Sequence, residues 1–198
     1  MLDKKIIKSA FPYILIFLTI SLISGVFRVE YMLNLVESTF AQTAKISAYI
    51  SLLLSVFMVF IYLLAVFGVI IFSLALMGEL ADKQTIKTTF KLVKGVLIVY
   101  SISEICKLFI FLKLVRNNLF ADFSLSSEQD VFNIFTTQTL FRMNNIVDLS
   151  AVIIIIGMSY YFLHLKLHIK ILKVAVPMSV FLLLYVFSHC DFLMNFLT

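Results

Sequence analysis

Between Ile46 and Gly78 the chain runs for thirty-three residues, ISAYISLLLSVFMVFIYLLAVFGVIIFSLALMG, without an Asp, Glu, Lys, Arg or His. No other feature of the sequence constrains the fold as strongly. A bilayer core takes about 20 apolar residues as a helix, and at about 1.5 Å per residue this run makes a helix about 50 Å long. A helix of that length must tilt, protrude beyond the hydrocarbon, or bend near Gly68. No soluble core helix is this long and apolar on every face. The chain reads as an integral membrane protein.

Composition agrees. Of the 198 residues 62% are apolar and 14% charged, against about 25% charged in an ordinary soluble domain. That leaves room for one integral membrane domain over 1–198 and for no soluble domain of useful size. The net charge of +5 does not point to nucleic acid, because the basic residues fall in short clusters beside apolar runs rather than in one patch. Cys106 and Cys190 both lie within apolar runs. They read as buried free thiols, without metal-binding spacing.

The apolar runs predict an all-α fold, a polytopic transmembrane helix bundle of five spans with short interfacial amphipathic helices. The spans are expected at about 10–27, 46–78, 95–115, 146–163 and 174–197. The basic start MLDKKIIK also suits a signal peptide, but no A-x-A site follows and the run from Ala10 to Phe27 has spanning length. It is read as a retained span, with Pro12 in its opening turn and Ser21 and Gly25 spaced to admit a close helix. From Arg28 to Lys45, Val29, Met32, Leu33, Val36 and Phe40 recur at helical spacing opposite Asn34, Glu37, Ser38 and Gln42, which predicts an amphipathic connector on the membrane surface. Within the second span Ser47, Ser51 and Ser55 form a small-residue stripe, a helix-packing face.

Lys87, Lys91 and Lys94 then share one face of QTIKTTFKLVK, with Ile86, Phe90 and Val93 on another. The stripe suits an anionic cytoplasmic leaflet, and it equally suits the solvated first turns of the third span. The longest polar stretch, 117–145, has Ser127 and Asp130 in capping-box spacing and predicts a short outer helix. After the fourth span comes the basic connector HLKLHIKILK, with Lys166, Lys170 and Lys173, and the fifth span is expected to carry Pro177 in its first turn.

The positive-inside rule orients the bundle. Lys4, Lys5, Lys8, Lys83, Lys87, Lys91, Lys94, Lys166, Lys170 and Lys173 fall on one side, and Arg28, Lys45, Lys113, Arg116 and Arg142 on the other. This bias predicts a cytoplasmic N-terminus and an exterior C-terminus, in the cytoplasmic membrane if the protein is bacterial. Splitting the second span at Gly68 would add a crossing and move Lys83–Lys94 outside, against the bias.

The third span holds the sharpest candidate for chemistry. Glu104 sits near its middle with Lys107 three residues on, sharing a face. An ionisable group at that depth costs several kcal/mol unless paired or wetted. One reading is a proton or cation site facing a cavity. The other, preferred, is a structural ion pair with Lys107 or a neighbouring helix. Asp148, Lys113, Arg116 and Asp191 are expected near the outer boundary, pairing among themselves. His164 and His168 are four apart, a spacing compatible with metal on a helix, but lysines alternate with them and no carboxylate or cysteine is near, so no metal is expected. His189, Cys190 and Asp191 are consecutive and point in different directions on a helix. No H-E-x-x-H, G-x-S-x-G or phosphate-binding loop occurs, so neither an enzyme nor a cofactor is expected.

Several features together resemble the Ypt-interacting protein (YIP) family of five-span membrane proteins. They are the over-long second span ending at Gly78, Thr89-Phe90-Lys91 opening the third, Ser101 to Ser103 within it, and Asp148-Leu149 opening the fourth. The resemblance covers about Phe27 to the end, and Glu104 stands where members of that family often carry a proline. It implies a non-enzymatic membrane protein that binds partners. The residues themselves lead to the same first expectation: a scaffold or accessory subunit whose partners are the lipid bilayer and other membrane proteins or itself. The alternative is a small permease or channel subunit using Glu104 in a polar path. An intramembrane enzyme is a third class, and would need a second titratable group in a cavity beside Glu104.

Overall fold

The computed structural model describes residues 4–34, 41–76, 83–116 and 138–188. Five helices account for nearly all of them: α1 (Lys4–Leu33), α2 (Ala41–Leu76), α3 (Lys83–Arg116), α4 (Gln138–Ser159), which runs on as a π-helical segment over Tyr160–Lys166, and α5 (Ile171–Ser188). Among the described residues there is no strand. The fold is all-α. Segments long and apolar enough to cross a membrane lie at Ser9–Tyr31, Gln84–Arg116 and Leu140–Lys166. α2 is 36 residues long and carries no charge beyond Lys45.

The centre of the bundle is α3, with α1 along one flank and α4 along the other; α2 packs on α1, and α5 touches α2 and α4. Residue pairings give the directions. Tyr13 meets Lys94, Arg28 meets Glu104 and Tyr31 meets Phe111, so α1 and α3 are parallel. Gly95 lies against Met158 and Lys107 meets Asp148, so α4 runs antiparallel to α3. Leu52 sits over Gly25 and the Tyr49 hydroxyl donates to Glu30, so α2 is antiparallel to α1.

Two buried layers hold the helices together. Phe17 packs with Val93 and Leu97 between α1 and α3, its ring edge-on to Tyr100. Between α3 and α4, Leu92 and Val96 join Val152, Ile155 and Leu163, with Leu74, Ile169, Val174 and Tyr185 completing the cluster. Three hydroxyls inside the bundle bond to their own helix. Thr89 donates to the Thr85 carbonyl, Ser101 to Leu97 and Ser159 to Ile155, at 2.8–2.9 Å. This is how an apolar medium admits such groups. The perimeter is apolar, with Phe11, Phe57, Phe109 and Ile153 more than half exposed, as lipid requires and water does not permit.

Several boundaries differ from the sequence expectations. Arg28–Lys45 is not a separate surface helix. Arg28 to Leu33 continues α1, no Gly or Pro following Gly25 in the helix, and Ala41–Lys45 opens α2; residues 35–40 lie outside the described ones. α2 is unbroken at Gly68. α3 starts at Lys83, so the lysine segment forms its first turns, and the side it buries there carries Thr85, Thr88, Thr89 and Leu92, while Ile86 and Phe90 are half-buried. The helix expected around Ser127 to Asp130 lies outside the described residues, and α4 begins at Gln138. α5 begins at Ile171, which makes Pro177 its seventh residue, beyond the first turn.

The Ser47, Ser51 and Ser55 stripe is exposed and forms no contact face among the described residues. α2 turns its half-buried Tyr49, Leu52, Val56 and Phe60 the other way. The missing side chain of Gly25 admits Leu52, and the Tyr49–Glu30 hydrogen bond fixes the same rotation. A Cβ at position 25 collides with Leu52, so Gly25→Ala is expected to cost about 1–3 kcal/mol through overpacking, read as a lowered thermal midpoint in detergent.

The end of α4 is built for a tight reversal. His168 takes φ 55°, and the Ile169 N–H reaches back to the Leu163 carbonyl at 3.2 Å. Leu163 and Ile169 are both buried, the hydrophobic contact that accompanies such C-caps. His164 Nδ1 lies 2.8 Å from the Ile169 carbonyl. A carbonyl only accepts, so Nδ1 carries the proton.

Candidate functional site

Helical spacing sets out the polar groups of the interior. On α1, Ser24 and Arg28 are four apart, on the face turned to α3. On α3, Glu104 points back to α1, while Ser103 and Lys107, also four apart, turn to α4 and meet Asp148 there. The four charged side chains are only 15–23% exposed.

Lys107 is the hub. Its Nζ lies 2.6 Å from Asp148 Oδ1 and 3.1 Å from Glu104 Oε1. Ser103 Oγ donates to the same Asp148 oxygen at 3.3 Å. Arg28 Nη2 donates to Ser24 Oγ at 3.0 Å and stands 3.9 Å from Glu104 Oε2. Two cations and two carboxylates thus form a neutral network tying α1, α3 and α4 together. In a low-dielectric interior each charge needs such a partner.

Apolar groups bracket the network along the bundle. Toward one end lie Phe17, Val93 and Leu97, with Leu92, Val96, Val152 and Ile155 beside them. Toward the other, Tyr31 stacks edge-on against the buried Phe111, with ring centroids 5.7 Å apart. Four buried polar atoms on the faces that carry the network or beside it make no hydrogen bond among the described residues: Ser21 Oγ, Arg28 Nε, Asn144 Oδ1 and Asn145 Nδ2.

Of the residues singled out from sequence, the structure brings Glu104, Lys107 and Asp148 together. Asp148 does not join an outer ring with Lys113 and Arg116, which are exposed at the end of α3; a 2.6 Å bond to Lys107 holds it instead. Asp191, His189 and Cys190 lie outside the described residues. His168 sits in the left-handed turn, off the helix that holds His164, so their four-residue spacing sets no shared helical face. No group of three metal-binding side chains occurs among the described residues. Lys87, Lys91, Lys166 and Lys170 are exposed, while Lys94 and Lys173 are half-buried.

Sequence reasoning assigned Arg28 to a surface connector and passed over Ser24 and Ser103 as partners. The Ser21, Ser24, Arg28 spacing of three and four was the available signal, since it aligns all three on one helical face. Compared with protein-family models, curated proteins and solved structures, the chain matches none.

Proposed function

We propose that this protein is a non-enzymatic scaffold or accessory subunit that works by binding other membrane proteins. The observation that carries the reading is the closure of the ion network. Each of its four charges faces an opposite charge, the sum is neutral, and apolar side chains lie on both sides along the bundle. A network balanced in this way holds helices in register and leaves no carboxylate or cation without an opposite charge. In this reading the chain crosses the membrane five times with its N-terminus in the cytoplasm, supported by the lysine bias and by the alternating directions of α1 to α4. The resemblance to the YIP family fits the same role.

A second reading rests on the unpartnered Arg28 Nε, Asn144 Oδ1 and Asn145 Nδ2. Such groups suit a wetted path through which a small permease or channel subunit uses Glu104. Native mass spectrometry of the gently extracted protein separates the two. The scaffold reading expects a reproducible hetero-complex, and Glu104→Gln to loosen it with no flux to lose. A lone monomer or homo-oligomer, with an ion flux in proteoliposomes that Glu104→Gln abolishes, contradicts it.

A further inference from the structure

We propose that the end of the bundle formed by the first turns of α3 and the α4–α5 turn is a binding surface for anionic lipid headgroups, with Lys87, Lys91, Lys166 and Lys170 as the cations that meet phosphate. The inference goes beyond the scaffold reading and does not depend on it. Leu92, Leu163, Ile169 and Val174 share one buried cluster, which puts the segments Lys87–Lys94 and Lys166–Lys173 at the same end. The pairing of Tyr13 with Lys94 brings the start of α1, with Lys4, Lys5 and Lys8 in its first turns, to that end as well.

Among the described residues the charge there is one-sided. The described residues 4–16, 64–76, 83–97 and 156–176, which build this end, contain no Asp or Glu. The first turn of α5 has no acidic residue either, and its positive dipole end lies between Lys170 and Lys173. Among the described residues of this end no carboxylate faces Lys87, Lys91, Lys166 or Lys170, and an anionic headgroup complements them.

The interleaving of apolar groups selects lipid as the source. Leu172 is 81% and Ile171 55% exposed, directly between Lys170 and Lys173. Tyr160 and Tyr161 are exposed on the last turns of α4. The Lys94 ammonium stands 5.5 Å from the Tyr13 ring centre and that of Lys166 stands 5.8 Å from Phe162. Lysines and aromatic rings at one level, with aliphatic side chains between them, match the boundary between headgroups and acyl chains. An acyl chain covers Ile171 and Leu172, which a wholly acidic peptide such as polyglutamate does not.

The test is lipid titration of the purified full chain by native mass spectrometry, with phosphatidylglycerol and phosphatidylcholine as probes. Wild type is expected to retain phosphatidylglycerol in preference to phosphatidylcholine. The variant K87Q/K91Q/K170Q, altered only at exposed side chains, is expected to lose about a hundredfold in phosphatidylglycerol affinity, at about fivefold per lysine. The variant K113Q/R116Q, at the opposite end, is expected to behave as wild type. Equal retention of the two lipids, a triple variant that still prefers phosphatidylglycerol, or an equal loss in K113Q/R116Q overturns the proposal. So does displacement of the lipid by polyglutamate at equal charge concentration, which makes the surface a site for acidic protein.

Discussion

Replacing Lys107 with methionine is expected to cost the bundle about 3–5 kcal/mol, the range for removing one partner from a buried ion pair. Methionine keeps most of the side-chain volume, so the loss is one of charge. Asp148 loses its 2.6 Å bond and keeps the longer Ser103 hydrogen bond, and Glu104 keeps the longer 3.9 Å approach of Arg28. The network then carries a net negative charge at a place that is 18–23% exposed at the two carboxylates. The expected readout is a large drop in resistance to denaturing detergent, and loss of the folded species on size exclusion. The double variant K107M/D148L behaves differently. It removes one charge of each sign, leaves Arg28 and Glu104 as a neutral pair, and is expected to recover most of the lost stability, because a buried ion pair replaced by apolar groups of similar volume is often neutral or better.

Phe17→Ala is the second large effect, and its cause is different. In water such a truncation loses transfer energy and packing together. In lipid the transfer component largely vanishes, because tails are as apolar as the side chain. The cavity remains. Phe17 is 1% exposed among Val93, Leu97 and Tyr100, and a void on the order of 100 Å³ at about 24 cal/mol per Å³ gives about 2–3 kcal/mol. The same change removes an apolar side chain from the α1–α3 seam that also holds Arg28 and Glu104. On the scaffold reading the variant is less stable and still shows no flux in proteoliposomes. An ion leak created by Phe17→Ala would favour the polar-path reading instead.

What was legible in the sequence follows from which signals survive in a membrane. The uncharged run from Ile46 to Gly78 announces a helix, and α2 is one helix through that region as far as Leu76. The spacing of Glu104 and Lys107 announces a shared face, and the two side chains meet at 3.1 Å. The boundaries were less legible, because hydropathy marks where apolar residues stop rather than where the helix does. Arg28 ends the apolar run, yet α1 carries it five residues short of its end at Leu33. Placing it there puts the guanidinium beside Glu104 rather than at the surface.

The rotation of α2 was illegible for a related reason. When both lipid and protein interior are apolar, polarity does not say which face packs. Shape decides instead, here the notch at Gly25 that takes Leu52. The serines at 47, 51 and 55, small but without a notch opposite them, face outward. Thr85, Thr88 and Thr89 reverse the expectation in the other direction. They are buried at a level where lysines line the opposite side of α3, with the Thr89 hydroxyl satisfied by the carbonyl one turn back.

The most direct test of the central claim, that the Arg28–Glu104–Lys107–Asp148 network is a structural clamp, is a double-mutant cycle on Lys107 and Asp148. Unfolding free energies of wild type, K107M, D148L and K107M/D148L would be compared in one detergent. A clamp predicts large losses for the single variants and a double variant within about 1 kcal/mol of wild type, the singles failing through the net charge each leaves in the network. Additive losses in the double variant would contradict it, showing that the two residues act on separate partners.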